Sequence, residues 1–166
     1  AESNSIDDRF LAYYQKRDEE SANELVKNFA ASKGYDVGKA QHSTNVEKLE
    51  DNKFKLSLAG SRGGRRIDYY RPAIYFAISN QKAEELYKRL ENRGMSPRTA
   101  YGKYVFNFYL KIDKSTDLYD ETEFGLIIGI TEPNRIKLAD AFTFDDNEEI
   151  IPLSQRFNIN TEDIRY

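Results

Sequence analysis

The densest group of chemically versatile side chains lies in residues 60–71, which combine glycine, arginine and tyrosine. This stretch holds three glycines, four arginines and two adjacent tyrosines, in a chain whose net charge is −3. Glycine-rich backbone brings amide groups close to an anion, and an arginine fork donates to two oxygens of a phosphate or carboxylate at once. We therefore predict a binding surface here for a protein or an anionic ligand. Its members are Arg62, Arg65, Arg66, Tyr69, Tyr70 and Arg71.

The same residues admit two other interpretations. The arginines could pair with the chain's own carboxylates, since the sequence holds 28 acidic residues and surface ion pairs are common. Tyrosines interleaved with arginines could instead stack on the bases of single-stranded RNA. The net negative charge counts against nucleic acid, because domains that bind it usually present a basic face. A polyanion or RNA binder that uses this arginine-glycine hairpin is therefore the less favoured alternative.

Tyrosine is also unusually frequent, with twelve tyrosines and no tryptophan in the chain. Its ring gives a large contact area with a polar tip and is enriched where protein surfaces meet. Tyr75 and Tyr109 alternate with apolar residues in two predicted strands. We therefore expect both on the sheet face opposite the helices, as part of the binding surface. That face is then either covered by the C-terminal tail or open to a partner.

A second group of candidate residues is acidic. The run 145–149 places oxygen ligands at alternate positions, Asp145, Asn147 and Glu149, as calcium loops do. An EF-hand is excluded because the sixth position of the loop is Ile150 rather than glycine. The run therefore contains weak candidates for a metal site, against the alternative of a solvated acidic loop, and no cofactor is predicted.

Asp140 is the one carboxylate on an otherwise apolar predicted strand face. A buried acid is costly unless it is paired, and such groups often have functional roles. The alternative is that the strand ends or bulges near Asp140 and turns the side chain outward. Together with Asp145 and Asp146, Asp140 defines a competing function, that of a carboxylate- or divalent-metal-dependent hydrolase.

Other catalytic signatures are missing from the sequence. His42 is the only histidine and lies in a polar stretch, which predicts a surface position. The chain has no cysteine, so disulfides, thiolate metal sites and a cysteine nucleophile are excluded. It contains no Gly-x-Ser-x-Gly elbow, P-loop, His-Glu-x-x-His or dinucleotide-binding glycine motif. The sequence therefore favours binding over catalysis.

Hydrophobic periodicity predicts the elements that position these residues. An apolar stripe from Ser5 to Gly34 indicates one long helix, or two with a kink near Asp18. Asn80–Arg93 is the clearest helix, with a polar cap, early acids, late bases and Gly94 as its stop. Alternating apolar residues elsewhere predict strands, the first two joined as a hairpin by the glycine-rich stretch. The predicted strands are 53–58, 72–79, 103–112, 123–131 and 135–144.

This order of elements predicts a single globular α+β domain over residues 1–166. We expect a two-layer sandwich whose antiparallel sheet has about five strands. The N-terminal helix (or kinked helix pair) and the central helix pack on one face of that sheet, and the last three strands form a meander. The order resembles that of cystatin-like curved-sheet folds in its sequence of elements alone, and that resemblance implies nothing about function.

Hydropathy and the first residues bear on location. No apolar run approaches the roughly eighteen residues that span a bilayer, so no transmembrane segment is predicted. The chain begins Ala1-Glu2 without a methionine, as a chain does after cleavage by signal peptidase, which predicts a periplasmic or secreted protein. The alternative is a trimmed cytoplasmic chain. The sequence thus predicts a non-catalytic binding or interaction domain of an exported bacterial protein.

Overall fold

The computed structural model describes residues 2–44, 47–55, 73–95, 104–123 and 125–166, with side chains from residue 6 onward. Within these residues the chain forms three α-helices and one six-stranded antiparallel sheet, so the predicted α+β class is confirmed. The helices are α1 (Glu2–Gln15), α2 (Glu19–Ser32) and α3 (Gln81–Asn92). The strands are β1 (Val37–Thr44), β2 (Ile74–Ile78), β3 (Tyr104–Leu110), β4 (Leu118–Thr122), β5 (Gly125–Ile130) and β6 (Ile136–Leu138).

Local signals in the sequence set the ends of two helices. The side chain of Asp18 accepts a hydrogen bond from the amide of Ser21 at 3.1 Å and so caps the start of α2. The predicted kink near Asp18 is therefore a break between two helices. Asn80 caps α3 in the same way, through a 2.8 Å hydrogen bond from the amide of Ala83. None of the helices among the described residues has the length and apolar character needed to cross a bilayer.

The strand order of the sheet is β4-β5-β2-β1-β3-β6. β1 lies at its centre, although we predicted no strand there because the segment is mostly polar. Its pairing with β3 runs from Val37 opposite Leu110 to Thr44 opposite Tyr104, with a β-bulge between Val37 and Ala40. A central strand exchanges backbone hydrogen bonds with neighbours on both sides, which compensates for side chains that bury little apolar area.

Three predicted features of the sheet are wrong. Lys53–Lys55, the described part of the predicted strand 53–58, is not a strand, and β2 pairs with β1 and β5. β3, β5 and β6 do not form a meander, because β3 pairs with β1 and β6 whereas β5 pairs with β2 and β4. The predicted strand 135–144 ends at Leu138. There the buried side chain of Arg156 binds the backbone carbonyls of Leu138 and Asp140, so the Asp140 carbonyl does not pair with a neighbouring strand.

Apolar packing occurs on both faces of the sheet. The first core contains alternating residues of five strands, which Phe54 and the tail residue Ile164 cover. The second core lies on the opposite face, beneath α1 and α2. Gly38 allows the ring of Tyr109 to lie directly on β1 there, since a Cβ at Gly38 would come within 2.7 Å of that ring. The second core includes Phe10, Leu25, Val26, Ala30, Tyr35, Tyr109, Leu153 and Phe157.

A buried cation on β6 attaches the C-terminal tail to the sheet. Lys137 is 1% exposed, and its ammonium donates to the carbonyl oxygens of Thr161 and Asp163, at 2.8 and 3.2 Å. Burial lowers the pKa of Lys137 from 10.5 to about 8, against the opposing attraction of Asp163 and Glu162. The folded protein therefore releases this proton at a lower pH than the unfolded chain does.

We expect Lys137 to make the protein more stable as the solution becomes alkaline. Between pH 8 and 10.5 the unfolded chain holds a proton that folded Lys137 has released, so a rise in pH favours the folded state. Relative to Lys137→Met, the wild type should gain about 2 kcal/mol in free energy of unfolding between about pH 7 and about pH 9.5. Urea unfolding at each pH measures this.

Lys114→Met, which removes an exposed lysine, is the control and should follow the wild type at every pH. The measurements stop below about pH 10, because burial raises the pKa of Tyr35 to about 12 and the ionisation of tyrosines in the unfolded chain then opposes folding. A free-energy difference between wild type and Lys137→Met that does not change with pH would contradict the lowered pKa.

Candidate functional site

The arginine- and tyrosine-rich residues that the sequence singles out lie outside the described residues. This holds for Arg62, Arg65, Arg66, Tyr69, Tyr70 and Arg71, whose role stays a prediction. Tyr75 is described and lies half-buried on β2. Its ring lies against Gly129 of β5, where an added Cβ would be 2.8 Å from the ring, so this part of the sheet tolerates no larger residue without movement.

Tyr109 belongs to the core rather than to an open surface. The strand pairing places it on the same sheet face as Tyr75, as predicted, but it is only 4% exposed. α2 and the tail residue Phe157 cover it, with ring centroids of Tyr109 and Phe157 5.9 Å apart. α1 and α2 thus lie on the face that was expected to be opposite the helices. Tyr109 is therefore corrected from a candidate binding residue to a packing residue, whose pKa burial raises.

The acidic run near the C-terminus has a local structural role. One carboxylate oxygen of Asp145 accepts hydrogen bonds from the amides of Asn147 and Glu149, at 2.8 and 3.0 Å. Asp146 pairs with Arg165 at 2.9 Å. Within the described part of the chain, no three acidic or histidine side chains are grouped so that they could hold a metal ion. The run folds around its own backbone amides, as Asx turns do.

His42 packs in the sheet, so the predicted surface position is wrong. It lies half-buried on β1, with its ring centroid 4.9 Å from that of Phe54 and 5.4 Å from that of Phe76. Its Nδ1 lies 2.8 Å from the carbonyl oxygen of Tyr75. The error follows from the missed strand β1, since an isolated polar segment gives no signal that its neighbours will enclose it.

Side chains from four elements instead converge on an open cleft of about 500 Å³ beside Asp140. α2 supplies Glu19 and Asn23, the bulge of β1 supplies Lys39, and β3 supplies Asn107. The loop that follows β6 forms the remaining wall. The volume lies in the range of small-molecule binding sites. We call this site the Asp140 cleft, and its loop residues are Ala139, Asp140, Ala141, Phe142 and Phe144.

Asp140 is held at the cleft by its buried surroundings. Its neighbours Ala139 and Ala141 are 7% and 3% exposed, whereas Asp140 itself is exposed. The buried guanidinium of Arg156 donates to the carbonyl oxygens of Leu138, Asp140 and Ala141, at 3.1, 2.9 and 3.0 Å. The sequence left open whether Asp140 is buried or turned outward at the end of a strand. In the structure β6 ends and the side chain turns outward.

Among the described residues, Arg156 is the one cation whose charge is felt by Asp140, and it forms no ion pair with that carboxylate. Although Asp140 is exposed as a residue, the protein around its carboxyl desolvates it in part, and this raises its pKa. The charge of Arg156 lowers the pKa and that of Glu19 raises it, with a net rise. In the described part of the chain, the side chains of Asp140, Glu19 and Lys39 form no hydrogen bond and no ion pair. Ionisable groups with a perturbed pKa that share a cleft are typical of functional sites.

Aromatic packing supports the outer wall of the cleft. The ring of Phe142 meets that of Tyr14 edge-on, with centroids 5.0 Å apart, and lies 5.7 Å from that of Phe10. Phe144 is 39% exposed and lies 5.9 Å from Tyr14. α1 therefore fixes the position of two phenylalanines whose remaining surface faces solvent and is available to a ligand.

The backbone at Lys39 has a left-handed conformation, and the strain of that conformation can be tested by substitution. Its φ is 54°, in the left-handed region that costs a non-glycine residue about 1–2 kcal/mol. We expect Lys39→Gly to raise the free energy of unfolding by about 1 kcal/mol, measured by urea unfolding. Lys39→Ala, which removes the side chain but keeps the strain, is the control and should not stabilise. A less stable Lys39→Gly would show that the side chain itself stabilises the fold.

Most cleft residues could not be identified from sequence. Asp140 stood out as a lone carboxylate among apolar positions, but its neighbours come from separate elements and share no spacing. The hydrogen bonds of Arg156 all go to backbone carbonyls, which carry no sequence signature. The residues that sequence reasoning missed are Glu19, Asn23, Lys39, Asn107, Phe142, Phe144 and Arg156.

Comparison of the chain with family models, with curated proteins and with solved structures found no match.

Proposed function

We propose that this chain is a non-catalytic binding domain and that the Asp140 cleft is its ligand site. One observation carries the proposal. The guanidinium of Arg156 donates to the carbonyl of Leu138 at the end of β6 and to two carbonyls of the loop that follows. It thereby holds Asp140 outward, where the carboxylate has no hydrogen-bond or ion-pair partner within the described residues. A buried arginine that fixes an exposed acid is a costly arrangement, and such arrangements are expected where a side chain must be presented in one orientation.

The lining of the cleft supports binding rather than catalysis. Its described residues are acids, a lysine, amides, alanines and phenylalanines, with no serine, threonine or histidine among them. A hydroxyl or thiol nucleophile beside its base is therefore not present in this lining. Asn23 and Asn107 supply amide donors and acceptors, and the phenylalanines supply apolar contact. A few convergent polar groups beside apolar walls are typical of recognition sites.

A second candidate function, a carboxylate-dependent hydrolase, is favoured by the raised pKa of Asp140. A carboxyl whose pKa is raised suits a general acid, and Glu19 lines the same cleft as a possible second carboxylate. The acids first considered beside Asp140 are engaged elsewhere, Asp145 by backbone amides and Asp146 by Arg165. Turnover of nitrophenyl esters, phosphates or glycosides that Asp140→Asn abolishes would establish this candidate and overturn a purely binding role.

The proposal is tested by two-dimensional amide NMR of the isotopically labelled chain with a panel of ligands. The panel contains amino acids, short peptides, simple amines and carboxylates, oligosaccharides, nucleotides, heparin and a short RNA. We expect at least one ligand to shift the amides of Lys39, Asn107 and Asp140 together, and Asp140→Asn to abolish those shifts. Shifts confined to residues far from the cleft would contradict the proposal.

The same panel tests the arginine-rich residues. Polyanion-induced shifts in residues 60–71 that Arg65→Ala/Arg66→Ala removes would support the predicted anion surface there. Such a result without any change at the cleft would place ligand binding in that segment instead. Export from a bacterial cell remains a separate proposal, which fractionation of the native host would test.

A further inference from the structure

We infer that the Asp140 cleft binds a zwitterionic ligand, a small molecule that carries an ammonium group and a carboxylate, as a free amino acid does. The inference rests on the proposed function and adds the chemical class of the ligand. Its basis is the combination of unpaired charges of both signs with amide and aromatic side chains in one cleft of about 500 Å³.

The ammonium end of the ligand is assigned to Asp140 and Glu19. The two carboxylates are close enough for the charge of Glu19 to oppose ionisation of Asp140. Neither forms an ion pair in the described part of the chain, and the attraction of Arg156 offsets the rise in the pKa of Asp140 only in part. An ammonium placed between the two carboxylates would relieve their repulsion and would form charge-assisted hydrogen bonds with carboxylate oxygens.

The carboxylate end is assigned to Lys39. This lysine lines the same cleft as the two acids, yet it lies within salt-bridge distance of no acid among the described residues. The bulge and the left-handed backbone fix the point from which its side chain leaves β1. Lys39 and the two acids thus line the same cleft without pairing with one another. A ligand with both charges can form an ion pair with each side, whereas a simple amine can pair only with the acids.

The remaining walls fit the neutral part of such a ligand. Asn23 and Asn107 offer amide groups that can donate to a carboxylate and accept from an ammonium. Phe142 and Phe144 present ring surface to an apolar side chain. We therefore choose leucine as the probe, because it combines both charges with an aliphatic group.

The test compares leucine with leucine amide, which keeps only the ammonium, and N-acetylleucine, which keeps only the carboxylate. Affinities are measured by calorimetry and by titration of the cleft amides in NMR spectra. We expect leucine to bind at least about tenfold more tightly than either analogue, the factor that one charge-assisted pair supplies. Lys39→Gln should remove the advantage of leucine over leucine amide, and Asp140→Asn should weaken both of these ligands.

Two exposed residues outside the cleft give matched controls. Lys27→Gln on α2 and Asp120→Asn on β4 change the same charges and should leave all three affinities unchanged. Urea unfolding shows whether each cleft variant remains folded, and a variant that unfolds is replaced by Glu19→Gln for the ammonium end.

The outcomes separate the ligand class from the site. Leucine amide that binds as tightly as leucine would overturn the zwitterion and leave a cation site in the cleft. If leucine does not bind while another ligand of the panel shifts the cleft amides, the inferred zwitterionic ligand class is wrong and the proposed binding function stands. If nothing in the panel shifts those amides, both are overturned.

Discussion

Asp117→Asn should lower the free energy of unfolding by about 3–5 kcal/mol, because it leaves the buried guanidinium of Arg135 with only the exposed carboxylate of Glu132, 3.4 Å away, as a counter-charge. The side chains of Asp117 and Arg135 are 1% and 6% exposed. Arg135 donates to both carboxylate oxygens of Asp117, one of them at 2.9 Å, and also to the carbonyl oxygen of Lys111 at 3.0 Å. This ion pair joins the loop after β3 to the turn that connects β5 with β6.

Urea unfolding at neutral pH measures the loss. Asp120→Asn, which neutralises an exposed acid on the edge strand β4, is the matched control and should change the free energy of unfolding by less than about 0.5 kcal/mol. A loss of 1 kcal/mol or less in Asp117→Asn would contradict this, and would mean that water or Glu132 compensates the guanidinium when Asp117 is neutral.

The acid dependence of stability gives an independent check on the same pair. Burial alone would raise the pKa of Asp117, but hydrogen bonds from Arg135 and from the amides of Asp113 and Thr131 hold it below its ordinary value of 3.8. The stabilisation is therefore complete above about pH 4 and is lost as the pH falls through the folded-state pKa. The wild type should thus lose more stability than Asp117→Asn between about pH 4 and about pH 2. Parallel curves would contradict this.

Arg156→Met should cost about 3 kcal/mol or more and should also disorganise the Asp140 cleft. Three carbonyls lose their donor, and each buried group left without a hydrogen bond costs about 1–3 kcal/mol. Methionine occupies a similar length, so the loss reports hydrogen bonding more than an empty cavity. Removal of the cation also removes the attraction that lowers the pKa of Asp140, so this pKa should rise further, as carbon NMR of the carboxyl would show.

Two further variants separate geometry from charge at this position. Arg9→Met removes an exposed arginine and should leave stability and the cleft amides unchanged. Arg156→Lys keeps the charge but cannot reach three carbonyls with a planar fork, so it should fall between the wild type and Arg156→Met. Full stability in Arg156→Lys would show that charge, rather than the three hydrogen bonds, holds the loop.

The helices could be predicted because their signals are local. A cap at Asp18 and another at Asn80, together with apolar stripes of helical period, lie within a few residues of the structure they specify. β3 and β5 were likewise predictable from alternation over six or seven positions. The position of β1 was not, because its polar residues form a strand only when β2 and β3 lie on either side.

In the Asp140 cleft, likewise, only the residue with a local sequence signal could be predicted. Asp140 could be singled out, since a lone acid in an apolar pattern is a local anomaly. Arg156 could not, because it lies 16 residues from Asp140 and binds backbone oxygen, which every residue has. Lys39 enters the cleft only through a bulge whose existence depends on the register between β1 and β3. Sequence periodicity contains no information about that register slip.

The C-terminal tail has a consequence for how the chain folds during its synthesis. Ile164 lies in the first core and its amide donates to the carbonyl oxygen of Asn52, while Phe157 lies in the second core. Ser154 donates to Asp7 of α1, across 147 positions of sequence. A chain emerging from the ribosome can form α1, α2 and α3 early, yet neither core closes until residues 157–164 have left the exit tunnel. Until those residues emerge, we expect the apolar residues of both cores that precede Phe157 to stay accessible to chaperones.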